Sequence, residues 1–129
     1  MNWVIKKLLK FTGSQKFLSI QLDITNICNL KCGHCYQPDH CGGELPFSSW
    51  QNILDQYSEL AKKLALRPCF SLSGGEPTLS QLFAPILNEI HRRWPDAGTT
   101  IITNGTALSE KIISEIKSHD ADVQLSLET

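Results

Sequence analysis

The sequence predicts an α/β fold, a curved and open βα barrel with helices on one side and a wet cavity on the other. Three observations predict it. Strand-like and helix-like patterns alternate in a βαβα rhythm from about Leu18 onward, which implies right-handed crossovers and a parallel sheet. The first and fourth strands alternate apolar and polar residues, whereas parallel strands covered on both faces are apolar throughout. Finally, the unusual motifs each follow or end a strand, the rim on which such barrels carry their active sites.

Each element has its own signal. Leu18 to Thr25 alternates strictly and reads as the first strand, with Leu18, Ile20, Leu22 and Ile24 on one face. A cysteine-bearing loop follows, then Asp39-His40-Cys41-Gly42-Gly43, a loop by its glycines. Ser48 with Gln51 makes a capping box for a helix whose stripe is Trp50, Ile53, Leu54, Tyr57, Leu60, Ala61 and Leu64. Cys69 to Ser73 is a second strand ending at Gly74-Gly75.

Leu79, Leu82, Phe83, Ile86, Leu87, Ile90 and Trp94 form a second stripe. Pro85 within it predicts a kink, or a short turn with the main helix starting near Ala84. Thr99 to Thr103 is a third strand and Asn104-Gly105 a turn. Ser109 caps a third helix carrying Ile112, Ile113 and Ile116, and Val123 to Glu128 alternates as a fourth strand.

Composition excludes several functions. The chain has 129 residues, 41% hydrophobic and 19% charged, with a net charge of −1, enough apolar material for one globular core. Twelve basic against 13 acidic residues leave no electrostatic footprint for nucleic acid. No apolar run approaches a membrane span. Residues 1–17 read as an N-terminal extension. Its start, Met1 to Phe11, mixes Lys6, Lys7 and Lys10 with apolar residues, the composition of an amphipathic helix that docks on its own domain or touches a membrane surface. It lacks the uninterrupted apolar core of a secretory signal. Five cysteines in that context point to a reducing, cytoplasmic setting and metal chemistry.

The chemistry concentrates in Cys28-Asn29-Leu30-Lys31-Cys32-Gly33-His34-Cys35-Tyr36. Three thiolates on one short loop suit a four-iron cluster and leave one iron open to bind a cofactor or substrate. A zinc site completed by His34, His40 or Cys41 is the alternative, as is a closed electron-transfer cluster using Cys41; a disulfide plus a free thiol fits the compartment badly. Cys69, within a strand, reads as a small buried hydrophobe.

Gly74-Gly75-Glu76-Pro77 follows the second strand, where glycines let backbone approach a ligand and a carboxylate suits an amino group. Taken alone it is equally an ordinary strand-to-helix turn, as is Thr103-Asn104-Gly105. Ser126 shares a face with Asp23 by alternation, and alone is a solvated hydroxyl.

Together these motifs resemble the radical S-adenosylmethionine (radical SAM) superfamily. Cys28-x3-Cys32-x2-Cys35 matches its signature and Gly74-Gly75-Glu76-Pro77 its second motif. The cysteine run looks most like members that mature peptides or modify tetrapyrroles. The resemblance implies that Cys28, Cys32 and Cys35 ligate a [4Fe–4S] cluster whose open iron binds SAM. It implies that Gly74, Gly75 and Glu76 meet the methionine amino group, chiefly through the backbone. Ser126 would contact the SAM carboxylate or ribose. His34 would pack near adenine, where Tyr or Phe is usual. Tyr36 and Asn104 belong to the same implied cofactor site, and Gly33 gives access for hydrogen bonds to sulfur. A reductant such as flavodoxin or ferredoxin and a peptide or small-molecule substrate are the implied partners.

Members usually have about six βα units, and this chain supplies three and a half. Residues 18–129 therefore read as the N-terminal half of a partial (βα)6 barrel, whose last strand offers an unpaired edge. A non-catalytic metal-binding half-barrel that needs a partner chain is the alternative reading.

Overall fold

The computed structural model describes residues 16–37, 40 and 42–127. Most of the expected N-terminal extension, and Cys41, lie outside them.

Four parallel strands form one sheet in the order β1-β2-β3-β4: β1 Phe17–Thr25, β2 Arg67–Gly74, β3 Gly98–Thr103 and β4 Asp122–Leu125. Helices α1 (Phe47–Leu64), α2 (Phe83–Arg93) and α3 (Glu110–Ser118) make the crossovers. Neighbouring parallel strands joined by crossovers of one hand place every helix on one face. Register shows the two faces directly. Leu22, Leu72, Ile101 and Val123 lie side by side across all four strands. The adjacent row is Gln21, Ser71, Thr100 and Asp122. Helices cover Leu22, Leu72 and Ile101 of the first row, Val123 on the edge strand stays exposed, and the second row is left open, the arrangement that the alternation of the first strand predicts.

The core lies on the covered face. Leu22, Ile24, Phe70, Leu72 and Ile101 pack with Trp50, Leu54 and Tyr57 of α1 and Phe83, Ile86, Leu87 and Ile90 of α2. Tyr57, Phe70 and Trp94 form an aromatic trio with centroids 5.0–5.8 Å apart. The buried Tyr57 hydroxyl accepts from Cys69 N at 3.2 Å and donates to Leu18 O at 2.5 Å. It thus bridges β1 and β2 beside Pro68, which brings no N–H to the ladder.

Two helix starts differ in instructive ways. The Ser48 capping box does not form: α1 begins at Phe47 after Pro46, and no side chain caps it. Phe47 packs against the core, so its burial starts the helix ahead of Ser48. Ser109 does cap α3, its Oγ accepting from Ile112 N at 3.3 Å. The Pro85 alternative resolves as a short turn: a 3-10 turn spans Pro77–Leu79, and α2 begins two residues before Pro85. There, in the first turn, the missing N–H costs no helical bond. Cys69 is half-buried rather than buried.

Candidate functional site: three thiols at the open rim

The site is built where β1, β2 and β3 end. Leaving β1, the chain turns at Thr25, whose Oγ1 accepts from Ile27 N at 3.1 Å. Cys28 Sγ then accepts from Leu30 N at 3.5 Å, and Cys35 N bonds Cys32 O at 3.1 Å around the Gly33-His34 turn. Cys28 and Cys32 are half-buried and Cys35 is exposed, and none of the three is in a disulfide. Cys69 lies at the opposite, N-terminal half of the sheet, level with Ser19 and Gly98.

The three thiols share one cleft of about 300 Å³ with His34, Tyr36, Ser73, Gly74, Gly75, Thr103, Asn104 and Ser126. Of the residues expected to hold the cluster or the cofactor, all but Glu76 therefore meet there, while Gly33 lies outside the lining. Tyr36 is exposed, its hydroxyl 3.5 Å from Gly74 O. Ser126 stands just past β4, its N–H bonded to Thr103 O at 2.9 Å. His40 also lines the cleft.

The two glycines have a steric role that the sequence did not disclose. Gly74 has φ +130°, and a Cβ there would sit 2.1 Å from Thr25 O. At Gly75 a Cβ would sit 2.2 Å from Ile27 O. Both encounters are with the backbone leading into the cysteine loop. The same close approach lets Gly75 N donate to Thr25 O at 2.7 Å and Glu76 N to Ile27 O at 2.8 Å. The second motif therefore pins the base of the first.

Glu76 points inward, completely buried. Its Oε1 accepts from Thr78 N (3.2 Å), Thr78 Oγ1 (2.5 Å) and Thr103 Oγ1 (2.6 Å), and its Oε2 from Asn104 N (2.7 Å). The carboxylate ties the end of β2 to the end of β3 and points away from the cleft, which Glu76 does not line. Thr78 is a working part that sequence reasoning missed, and Thr103, read there only as part of a turn, is a second partner of the carboxylate. Asn29 and Thr106 are two more, joined by an Asn29 Nδ2 to Thr106 Oγ1 bond of 2.7 Å. Contacts across 77 positions leave no local signal in the chain.

A family model described as the Radical SAM superfamily matches residues 22–129. The chain belongs to the radical SAM superfamily. It is similar to the PqqA peptide cyclase of Bradyrhizobium diazoefficiens, 36% identical over 77% of this chain and 25% of that protein. It is similar to the GTP 3′,8-cyclase of Aeromonas hydrophila, 31% identical over 76% of this chain and 30% of the relative. Among solved structures, Streptococcus suis SuiB bound to the precursor peptide SuiA matches with TM-score 0.70 and 26% identity, over 97% of this chain and 28% of that one. The chain thus spans about a quarter to a third of these relatives, and its four strands correspond to the N-terminal part of the radical SAM barrel.

The donor set fits the cluster that defines radical SAM chemistry. Cys28, Cys32 and Cys35 border one cleft, and a cubane spreads its thiolates around a larger body than one ion does.

Proposed function

We propose that this chain is the cofactor-binding part of a radical SAM enzyme acting on a peptide or a cofactor precursor. One observation carries the reading: Cys28, Cys32 and Cys35 border the same cleft as Gly74, Gly75 and Ser126. In this reading Cys28, Cys32 and Cys35 hold a [4Fe–4S] cluster through three irons. The Gly74-Gly75-Glu76 backbone and Ser126 bind the amino acid end of SAM, and His34, Tyr36 and Asn104 complete the pocket. When bound, the cluster supplies one electron that cleaves a carbon–sulfur bond of SAM, giving methionine and a 5′-deoxyadenosyl radical that abstracts hydrogen from substrate.

The chain's own part is to orient and shield. Tyr36 and His34 wall the exposed side of the cleft, and Gly74 lines it, its carbonyl an acceptor for an ammonium group in this reading. The open polar face of the sheet, with Gln21, Asp23, Ser71 and Thr100, gives a polar substrate donors and acceptors. Relatives that include a peptide cyclase and a structure bound to a precursor peptide support a peptide substrate. Cysteines outside any disulfide suit a reducing cytoplasm, with flavodoxin or ferredoxin as the electron source. Among the described residues no helix is long and apolar enough to cross a membrane.

The test is electron paramagnetic resonance of the anaerobically reconstituted, reduced chain. A [4Fe–4S] signal that shifts on adding SAM is expected, and is lost in Cys32→Ala. A cluster signal indifferent to SAM, or zinc in place of iron, overturns the reading.

A further inference from the structure

We propose that Asn104 is a positioning residue for Cys28, aiming a side-chain N–H at the cluster-binding sulfur and thereby raising the cluster's reduction potential. The inference rests on the reading that Cys28 holds an iron–sulfur cluster.

Asn104 is fixed at two points. Its backbone N–H donates to Glu76 Oε2 at 2.7 Å. Its Oδ1 accepts from Thr106 N at 2.9 Å and from Thr106 Oγ1 at 2.7 Å. Two donors on the oxygen settle which way round the amide stands. The nitrogen is left facing the cysteine loop, 3.0 Å from Asn29 Oδ1 and 3.9 Å from Cys28 Sγ. An amide nitrogen carries two hydrogens, one for each of these acceptors. Asn29 closes the ring by donating to Thr106 Oγ1. Asn29, Asn104 and Thr106 thus form a strap between the cysteine loop and the end of β3. Cys28 Sγ receives both the Asn104 amide and the Leu30 N–H.

The consequence is electrostatic. Reduction adds negative charge to a cluster and its thiolates, so an N–H aimed at sulfur stabilises the reduced form more than the oxidised one. Removing it moves the potential to more negative values. Hydrogen-bond partners of metal ligands commonly act in this way.

The experiment measures midpoint potentials of the reconstituted chain by electrochemical titration followed by EPR. Asn104→Ala is expected to be more negative than the parent, and Asn104→Asp more negative still, since it replaces a donor by an anion. Thr106→Val, which removes one of the two bonds orienting the amide, is expected to shift the same way by less. Pulsed EPR of the parent, labelled with ¹⁵N at the asparagine side-chain amide, is expected to show a nitrogen coupling that Asn104→Ala abolishes. Equal potentials in variants with full iron content overturn the inference. If the variants fail to fold, absence of that coupling in the parent overturns it. A parent chain that takes up no iron or sulfide instead sinks the functional reading beneath it.

Discussion

Two buried carboxylates, one at the site and one away from it, are stabilised in opposite ways. Glu76 is 0% and Glu89 8% exposed. Glu89, on α2, is held by cations: Arg92 Nε at 3.0 Å, Arg92 Nη2 at 2.8 Å and Arg93 Nε at 2.7 Å. The donors to Glu76 are neutral, two hydroxyls and two backbone N–H groups. A guanidinium on a flexible stem adapts to its partner. Backbone N–H groups adapt only if the chain moves. The Glu89 network therefore tolerates motion, whereas the Glu76 knot fixes the relative placement of β2 and β3 just where the cleft needs it.

The most damaging change should be Glu76→Ala. It strands Thr78 N, Thr103 Oγ1 and Asn104 N without their acceptor, and each buried orphan costs about 1–3 kcal/mol. A loss of about 4 kcal/mol is expected in urea denaturation of the cluster-free chain. Glu76→Gln keeps the shape and one acceptor, and should lose about half as much. A loss under about 1 kcal/mol for Glu76→Ala would break the comparison, leaving the carboxylate without a structural role.

Gly75→Ala should come next, at about 3 kcal/mol, because the neighbour that must yield is the Ile27 carbonyl. The measurement separates two uses of the motif. If the glycine serves only ligand approach, the variant keeps its parent stability and loses SAM binding alone. If it serves packing between loops, stability falls before any ligand is added, and this is the expected result.

That distinction marks how far the sequence could be read. Alternation in β1 predicted a sheet with one open face because alternation is a local, two-residue property, and the register rows bear it out. The three cysteines were legible as a candidate ligand set because their spacing is a local property of the chain. Glu76 was identifiable as special, but its inward direction was not, since that depends on Thr103 being 27 positions away. The Ser48 capping box was a sound local signal that lost to the burial of Phe47, a tertiary contact. Asn29 and Thr106 were invisible for the same reason: single polar residues in loops, given meaning only by each other.

The smallest expected effect sharpens the comparison from the other side. Hydrogen bonding from Arg92, and then Arg93, pulls the Glu89 carboxyl from its ordinary 4.5 down to about 2. A depressed folded-state value means that the unfolded chain takes up the proton first. The contribution of Glu89 is therefore complete above about pH 4.5 and lost as pH falls through about 2. Arg92 is 67% exposed, so screening holds the net worth of the network to about 1 kcal/mol near neutral pH. Glu89→Gln should cost about that much at pH 7, progressively less as pH falls through the folded value, and less in high salt. The loss from Glu76→Ala should change little with salt, because its donors carry no net charge. Urea titrations of both variants at low and high salt would measure this directly, and equal salt sensitivity would erase the difference between the two carboxylates.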